Sequence, residues 1–307
     1  MRAFSPVPAA AGRRPGTGLP YLVVSGLFWG TGGVTGSLLS RAAHLSAISV
    51  AAYRLAAGGL IIVVFLTVTG RRWPSGRAAW TRITVTGLLA ALFQGCYFTA
   101  VSLTSVPLAT LVTIGTAPVI VLAAGRVAGR PAGRFAMPVT GLALAGLALL
   151  VGLPSGSGET AVLAGAGMAV LAAAGFAALT LAGSRPVPGL DDLTVTGFAF
   201  TVGGLILMPL AQAAGGLGFR PGPAALGLLI LLGTGPTAVA YTLYFRGLRS
   251  AAPSTAALLT LLEPLTGAVL AAIVLGQRLS ATGIAGAVVI AAAVVLTVWV
   301  NQGVRKP

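Results

Sequence analysis

Two side chains in this sequence could carry chemistry because they stand where charge is costly. Glu263 lies in LLTLLEPLTGAVL (258–270). It is the only charged residue between Arg249 and Arg278, and Pro264 follows it directly. A carboxylate removed from water is disfavoured in its charged form, so it can hold a proton in one setting and release it in another, or bind a substrate amine. Helical spacing puts Ala256, Thr260, Thr266 and Gly267 on its face. Leu258, Leu261, Leu262 and Leu265 fall elsewhere, so the carboxylate faces the bundle or a cavity while the leucines face lipid or packing. A structural role is the other reading. Pro264 cannot donate to the carbonyl of Thr260, and a protonated Glu263, or a water beside it, could satisfy that group.

Arg54 is the one cation within an apolar stretch. Its planar guanidinium could take a substrate carboxylate. Equally, it could snorkel to the outer interface, or contact helix carbonyls or Glu263. Trp29, Tyr53, Phe93, Gln94, Tyr97, Tyr241 and Tyr244 are candidates to line a pocket, with tyrosine hydroxyls fixing a polar ligand. Packing or an interfacial belt is the alternative for each of them.

The elements that position these residues follow from composition. The 307 residues are 56% hydrophobic and only 7% charged, with mean hydropathy +0.98. Soluble domains carry roughly 25% charged residues, so this chain cannot cover a water-facing surface and must be solvated mostly by lipid. Lipid-exposed backbone has to be helical or a closed barrel. The apolar runs are about 18–24 residues long, which suits helices crossing a bilayer core of about 30 Å. The net charge of +15 does not indicate nucleic acid, because the arginines form no single patch and instead punctuate the apolar runs.

Ten spans are expected, at about 19–39, 46–68, 83–103, 107–126, 136–153, 161–183, 192–214, 224–245, 252–275 and 281–301. Residues 1–18 and 302–307 read as cytoplasmic tails, the first of them disordered. Arg13-Arg14 precede an uncleaved anchor rather than a signal peptide. With the N-terminus inside, only Arg41, Arg220 and Arg278 fall outside and Arg54 within a span; the other basic residues are cytoplasmic, both termini included. This satisfies the positive-inside rule and an even number of spans.

The second half repeats the first. YFTAVSLTSVPLATLVTIGTAPVIVLAAG from Tyr97 matches YFRGLRSAAPSTAALLTLLEPLTGAVLAA from Tyr244, allowing one small gap. Each half, 19–155 and 160–301, holds five spans. Five is odd, so the second half enters the membrane from the opposite side, giving an all-α membrane protein of two inverted five-helix repeats. Pro107 and Pro253 fall at helix starts, where a missing N–H costs little. Pro118 and Pro264 fall inside spans four and nine and are candidates to kink or loosen them, which would point to a midplane site. A purely structural kink is the alternative.

The chain thereby resembles the EamA family of the drug/metabolite transporter superfamily. The resemblance rests on LFWGTGG in span one, Arg54, PLATLVTIGTAPVIVLAA in span four and the long stretch 233–280. It covers about 20–300. It implies a secondary active transporter of the plasma (inner) membrane that exports a small organic metabolite, an amino acid or related compound, or a drug, by alternating access. Proton coupling through Glu263 is an expectation; uptake or exchange by the same fold is an alternative. The family often ends spans four and nine with Gly-Glu. Here those positions read Gly129-Arg130 and Gly276-Gln277, and Ala117-Pro118 stands where the second half has Glu263-Pro264. A carboxylate role is therefore carried over only to Glu263.

No cofactor or metal is expected. Cys96 stands alone, without metal-ligand spacing, and reads as an inert buried thiol. GLPSGSGE lacks the ending and strand context of a phosphate loop. A lipid-modifying enzyme is disfavoured because Glu263 has no His, Asp or Glu cluster around it, and a non-transporting membrane protein because of the inverted repeat with its paired prolines. Asp191-Asp192 suit the start of span seven. Gly26/Gly30 and Gly32/Gly36 would let span one pack closely. His44 reads as a surface residue, and Trp73, Trp80 and Trp299 as interface anchors. The partners expected are a small-molecule substrate, the bilayer and a coupling proton.

Overall fold

The computed structural model describes residues 17–129, 133–151, 159–276 and 278–303. Most of both expected tails, together with Arg130 and Gln277, lies outside the described residues. The chain folds into α1 (Leu19–Ala43), α2 (Ala47–Val68), α3 (Arg77–Leu103), α4 (Val106–Val127), α5 (Ala136–Val151), α6 (Glu159–Gly183) and α7 (Asp192–Ala213). It continues through α8 (Pro223–Gly233), a π-helical turn (Thr234–Val239), α9 (Ala240–Gly247), α10 (Pro253–Leu259), α11 (Leu262–Leu275) and α12 (Ala281–Gly303). Among the described residues, nine helical segments are long and apolar enough to cross a membrane. The shorter apolar helix is α5. Leu60, Val64, Leu88, Ile230, Ile273 and Val288 stand exposed on the outside of the bundle, the surface expected of helices solvated by lipid.

Helix starts follow local chemistry. Ser46, Ser105 and Asp191 cap α2, α4 and α7 by accepting from the backbone N–H of Ser49, Leu108 and Thr194. Pro107 and Pro253 sit in the first turns of α4 and α10. The prolines farther along behave unequally. α4 runs unbroken through Pro118. In the second half the helix stops after Leu259 and restarts at Leu262, so Pro264 lies in the first turn of α11. The expected pair of matched interruptions is therefore one-sided.

The closest packing joins the two halves of the chain. α2 lies along α7, α3 along α6 and α7, α4 along α6, α5 along α12, and α1 against α11 and α9. A Cβ on Gly59 would overlap the backbone at Thr201, and one on Gly204 the backbone at Ala56, so α2 and α7 run antiparallel with their main chains nearly touching. Gly146 against Ile290 and Gly286 against Leu150 set α5 antiparallel to α12 in the same way.

The remaining pairings come in similar couples. α3 runs antiparallel to α6 (Gly175 at Phe93, Gly165 at Thr104), as α1 does to the segment 234–247 (Gly32 at Pro236, Gly18 at Gly247). α1 runs parallel to α11, with Gly26 on Leu262 and Gly30 on Thr266. α4 runs parallel to α6, where the Thr113 hydroxyl donates to the Ala169 carbonyl and Val121 clusters with Ala177. Small residues let helices approach where lipid provides no hydrophobic drive between them.

Loop contacts fix the two ends of the bundle. At one end Arg71 pairs with Asp191 at 3.9 Å, Arg249 with Asp192, and Arg82 donates to the Ala182 and Arg185 carbonyls. At the other, Ser49 donates to the Gly216 carbonyl and Tyr53 to that of Leu217. α3 begins at Arg77, earlier than the expected span, because its first turns project among these basic loops.

Gly59→Ala is expected to destabilise the protein by about 1–3 kcal/mol, since neither neighbouring backbone can yield. Gly33→Ala, with nothing near its Cβ, is expected to be neutral or to stabilise by up to ~1 kcal/mol. Thermal unfolding of the two purified variants in one detergent checks the contrast.

Candidate functional site

The site is built around span eight, where a proline disturbs the helix. Pro236 has no N–H to offer the carbonyl of Leu232, and its ring crowds that carbonyl. The chain widens into the π-helical turn Thr234–Val239, and the Thr237 hydroxyl takes the Leu232 carbonyl at 2.8 Å. The turn leaves the Pro236 carbonyl facing α2. Arg54 approaches it there, with Nη2 3.5 Å from that carbonyl and Nε 3.4 Å from the Thr237 hydroxyl. Both distances lie beyond the usual 2.7–3.2 Å, so the guanidinium is loosely held. Of the readings open for Arg54, contact with a helix carbonyl is the one present. Gly32 of α1 brings its backbone against Pro236.

A second break positions Glu263. The backbone N–H of Glu263 donates to the Thr260 carbonyl at 2.9 Å, and that of Leu261 to Leu258 at 3.1 Å. The carbonyl that Pro264 leaves without a donor is thus satisfied by main chain, and the Glu263 side chain is not needed there. Thr266 and the Glu263 carbonyl lie against Gly30 of α1. Leu258 and Leu261 pack into a cluster with Val139, Leu147 and Ile290, so these leucines serve packing rather than lipid. Glu263 remains half-buried.

Arg54 and Glu263 lie within electrostatic reach of each other, and both reach the phenols of Tyr97 and Tyr241. Neither of the two ion pairs among the described residues includes them. Each charge is therefore without a direct ionic partner inside an apolar bundle, a costly state that marks functional groups in membranes.

Beside them lies an aromatic cluster. The Trp29 ring is 4.8 Å from Tyr241 and 4.9 Å from Tyr244, Phe176 is 5.2 Å from Phe93, and Phe200 is 4.6 Å from Tyr241. The Tyr244 hydroxyl meets that of Thr180 at 2.7 Å, and the Tyr97 hydroxyl meets Thr110 at 2.8 Å. Trp29, Gln94, Tyr241 and Tyr244 are all buried. They form a packed wall beside the charges. Tyr53 stands apart, tied to Leu217 and stacked near Phe219. Ser25 Oγ and Trp29 Nε1, one turn apart on α1, are buried without a hydrogen-bond partner.

The structure therefore gathers Glu263, Arg54, Tyr97, Tyr241, Gln94, Trp29 and Tyr244, and leaves Tyr53 and Pro118 outside. Sequence reasoning passed over Pro236, Thr237, Thr180, Thr110 and Phe176. A proline inside span eight was a usable signal. The hydroxyl partners had none, because a threonine in a helix most often bonds its own backbone.

The EamA-like transporter family pattern matches residues 16–152 and again 163–299. "Uncharacterized transporter YwfM" of Bacillus subtilis (strain 168) is 30% identical over 262 residues, spanning 85% of this chain and 86% of that protein. A solved crystal structure at 17% identity covers 95% of this chain and 100% of its own, with a TM-score of 0.77, and so shares the fold.

Thr237→Val keeps the side-chain shape and removes the hydroxyl from the Leu232 carbonyl. It is expected to cost about 1–3 kcal/mol, the penalty of an unsatisfied buried acceptor. Thr237→Ser should restore most of that stability in thermal unfolding.

Proposed function

The chain belongs to the EamA-like transporter family, and from that premise we propose that it is a secondary active transporter. It exports a small organic metabolite, an amino acid or related compound, or a drug, across the plasma (inner) membrane by alternating access. The observation that carries this reading is the pair Arg54 and Glu263. They come from opposite halves of the chain, lack ionic partners and act on one another. Beside each lies a helix broken where the backbone must bend. A guanidinium fits a carboxylate and a carboxylate fits an amine or a proton, so the two unneutralised charges together suit a ligand carrying both.

Ten spans in two inverted repeats are the architecture of this reading. It is supported by the coupled helix pairings. α2 and α7 are counterparts in the two halves and run antiparallel, as do α5 and α12. A two-fold axis relating antiparallel counterparts lies across them, in the membrane plane. The orientation with both termini inside is supported by the gathering of Arg71, Arg82, Arg185 and Arg249 at one end. The rest of the mechanism follows from exchange. Glu263 releases its proton when it faces inward and takes substrate; facing outward it is protonated again and the substrate leaves. Trp29 Nε1 and Ser25 Oγ, unpartnered here, are donors available to the substrate in one of the two states.

The test is flux in proteoliposomes holding wild type or Glu263→Gln at equal density. A substrate found by export screening in cells should be driven uphill by an imposed pH gradient in wild type. Glu263→Gln should lose that response by about tenfold or more while still equilibrating substrate. Equal gradient-driven flux by both proteins would sink proton coupling through Glu263. Flux by neither, in either direction, would sink the transporter reading.

A further inference from the structure

A cavity lined by none of Arg54, Glu263 and the aromatic wall lies elsewhere in the bundle. It has a volume of 990 Å³, the upper end of the range for drug-sized ligands. It is enclosed by the ends of α4, α6 and α12 and the starts of α5 and α10, at the end of the bundle where the basic loops gather. Its floor is apolar, with Val121 and Leu258 among its residues.

Its charge is one-sided. Arg134 and Arg185 stand at the mouth, the Arg134 guanidinium lying 4.6 Å over the Phe135 ring. The whole chain has four acidic residues, and among the described residues none lines this cavity. Asp191 and Asp192 are paired with Arg71 and Arg249. Glu263 is within electrostatic reach of Arg54 and outside the cavity lining, and Glu159 begins α6, whose opposite end forms the cavity wall. Ser184, whose hydroxyl donates to the Leu181 carbonyl, and Ser254 add polar groups to the lining.

We infer that this cavity is a binding site for an amphiphilic organic anion. The acidic head, a carboxylate or phosphate, is held by Arg134 and Arg185, and the apolar body reaches toward Val121 and Leu258. Such an anion can arrive as a soluble organic acid or as the headgroup end of an anionic lipid. A cation of the same shape is excluded, because it would meet two guanidiniums and no carboxylate. The site is separate from the Arg54–Glu263 pair, and its occupancy is read by binding whether or not the chain transports anything.

The experiment uses the full chain in phosphatidylcholine nanodiscs and three probes of one apolar body: anthracene carboxylate, anthracenyl methylammonium and anthracene methanol. Trp299 lines the cavity, so energy transfer to a bound probe is read as the signal lost in Trp299→Phe. The carboxylate is expected to bind saturably and about tenfold or more tighter than the ammonium. Combining Arg134→Gln with Arg185→Gln should weaken it by about tenfold or more. Ser254→Asp, which places a carboxylate in the first turn of α10 where a helix welcomes one, should weaken carboxylate binding and narrow its preference over the ammonium.

Discs containing brominated phosphatidylglycerol identify the source. Quenching of Trp299 that depends on both arginines and competes with the probe assigns the site to lipid. Its absence, with the carboxylate still bound, assigns it to a soluble acid. Equal binding of all three probes overturns the proposal, as does carboxylate binding unchanged by both the arginine and the Ser254→Asp variants. It also falls if neither the carboxylate nor the lipid reaches Trp299. Should the double arginine variant fail to fold, Ser254→Asp alone decides.

Discussion

A backbone solvated by lipid has to satisfy its own hydrogen bonds, and the rest of this structure depends on how it does so where prolines interrupt it. At Pro236 the helix widens and a threonine hydroxyl adopts the stranded Leu232 carbonyl. Near Pro264 the helix stops and restarts, and main chain closes the gap at Thr260. Each repair leaves something turned inward: a carbonyl that Arg54 touches loosely in the first case, the Glu263 carboxylate in the second. The two charges owe their positions to two defects in helices of the second half, and the first half supplies the cation that faces them.

The defects are tolerated because the frame around them is close-packed. Glycines at 59, 204, 146 and 286 bring helix backbones of opposite halves together, so the halves interlock along α2–α7 and α5–α12. α1 instead lies against α11, α9 and the π-helical turn, in contact with both broken segments. Gly30 touches Thr266 beside Glu263, and Gly32 touches Pro236 beside Arg54. One helix thus touches both sites. The aromatic wall of Trp29, Tyr241 and Tyr244 adds a rigid side to the same region.

Much of this was legible in the sequence, for physical reasons. Charge is so rare in the chain that Glu263 and Arg54 stand out without a structure, and small-residue spacing in α1 announced its close contacts. Asp191 was readable as the helix cap of α7 and Asp192 as an acid in its first turn, whereas the pairing of Asp192 with Arg249 was not. What spacing could not show was how a given proline is accommodated. Pro118 and Pro264 occupy matching positions in the repeat, yet only the neighbourhood of Pro264 breaks, and Pro236 produces the other irregular turn. Tyr53 read as a pocket aromatic because helical periodicity gives the direction of a side chain but not its depth; its hydroxyl is tied to the loop at Leu217. The 990 Å³ cavity was invisible because it is assembled from the ends of five helices.

Proton coupling as proposed requires Glu263 to exchange a proton under the influence of Arg54. Infrared difference spectroscopy of the lipid-reconstituted protein, titrated with pH, tests it directly. The four acidic side chains of the chain make a carboxyl band assignable. The expected result is a carboxyl band that comes and goes with pH, is missing from Glu263→Gln and moves in Arg54→Gln. Identical titration spectra for wild type and Glu263→Gln would contradict it, because Glu263 would then hold one protonation state throughout and could not serve as the coupling group.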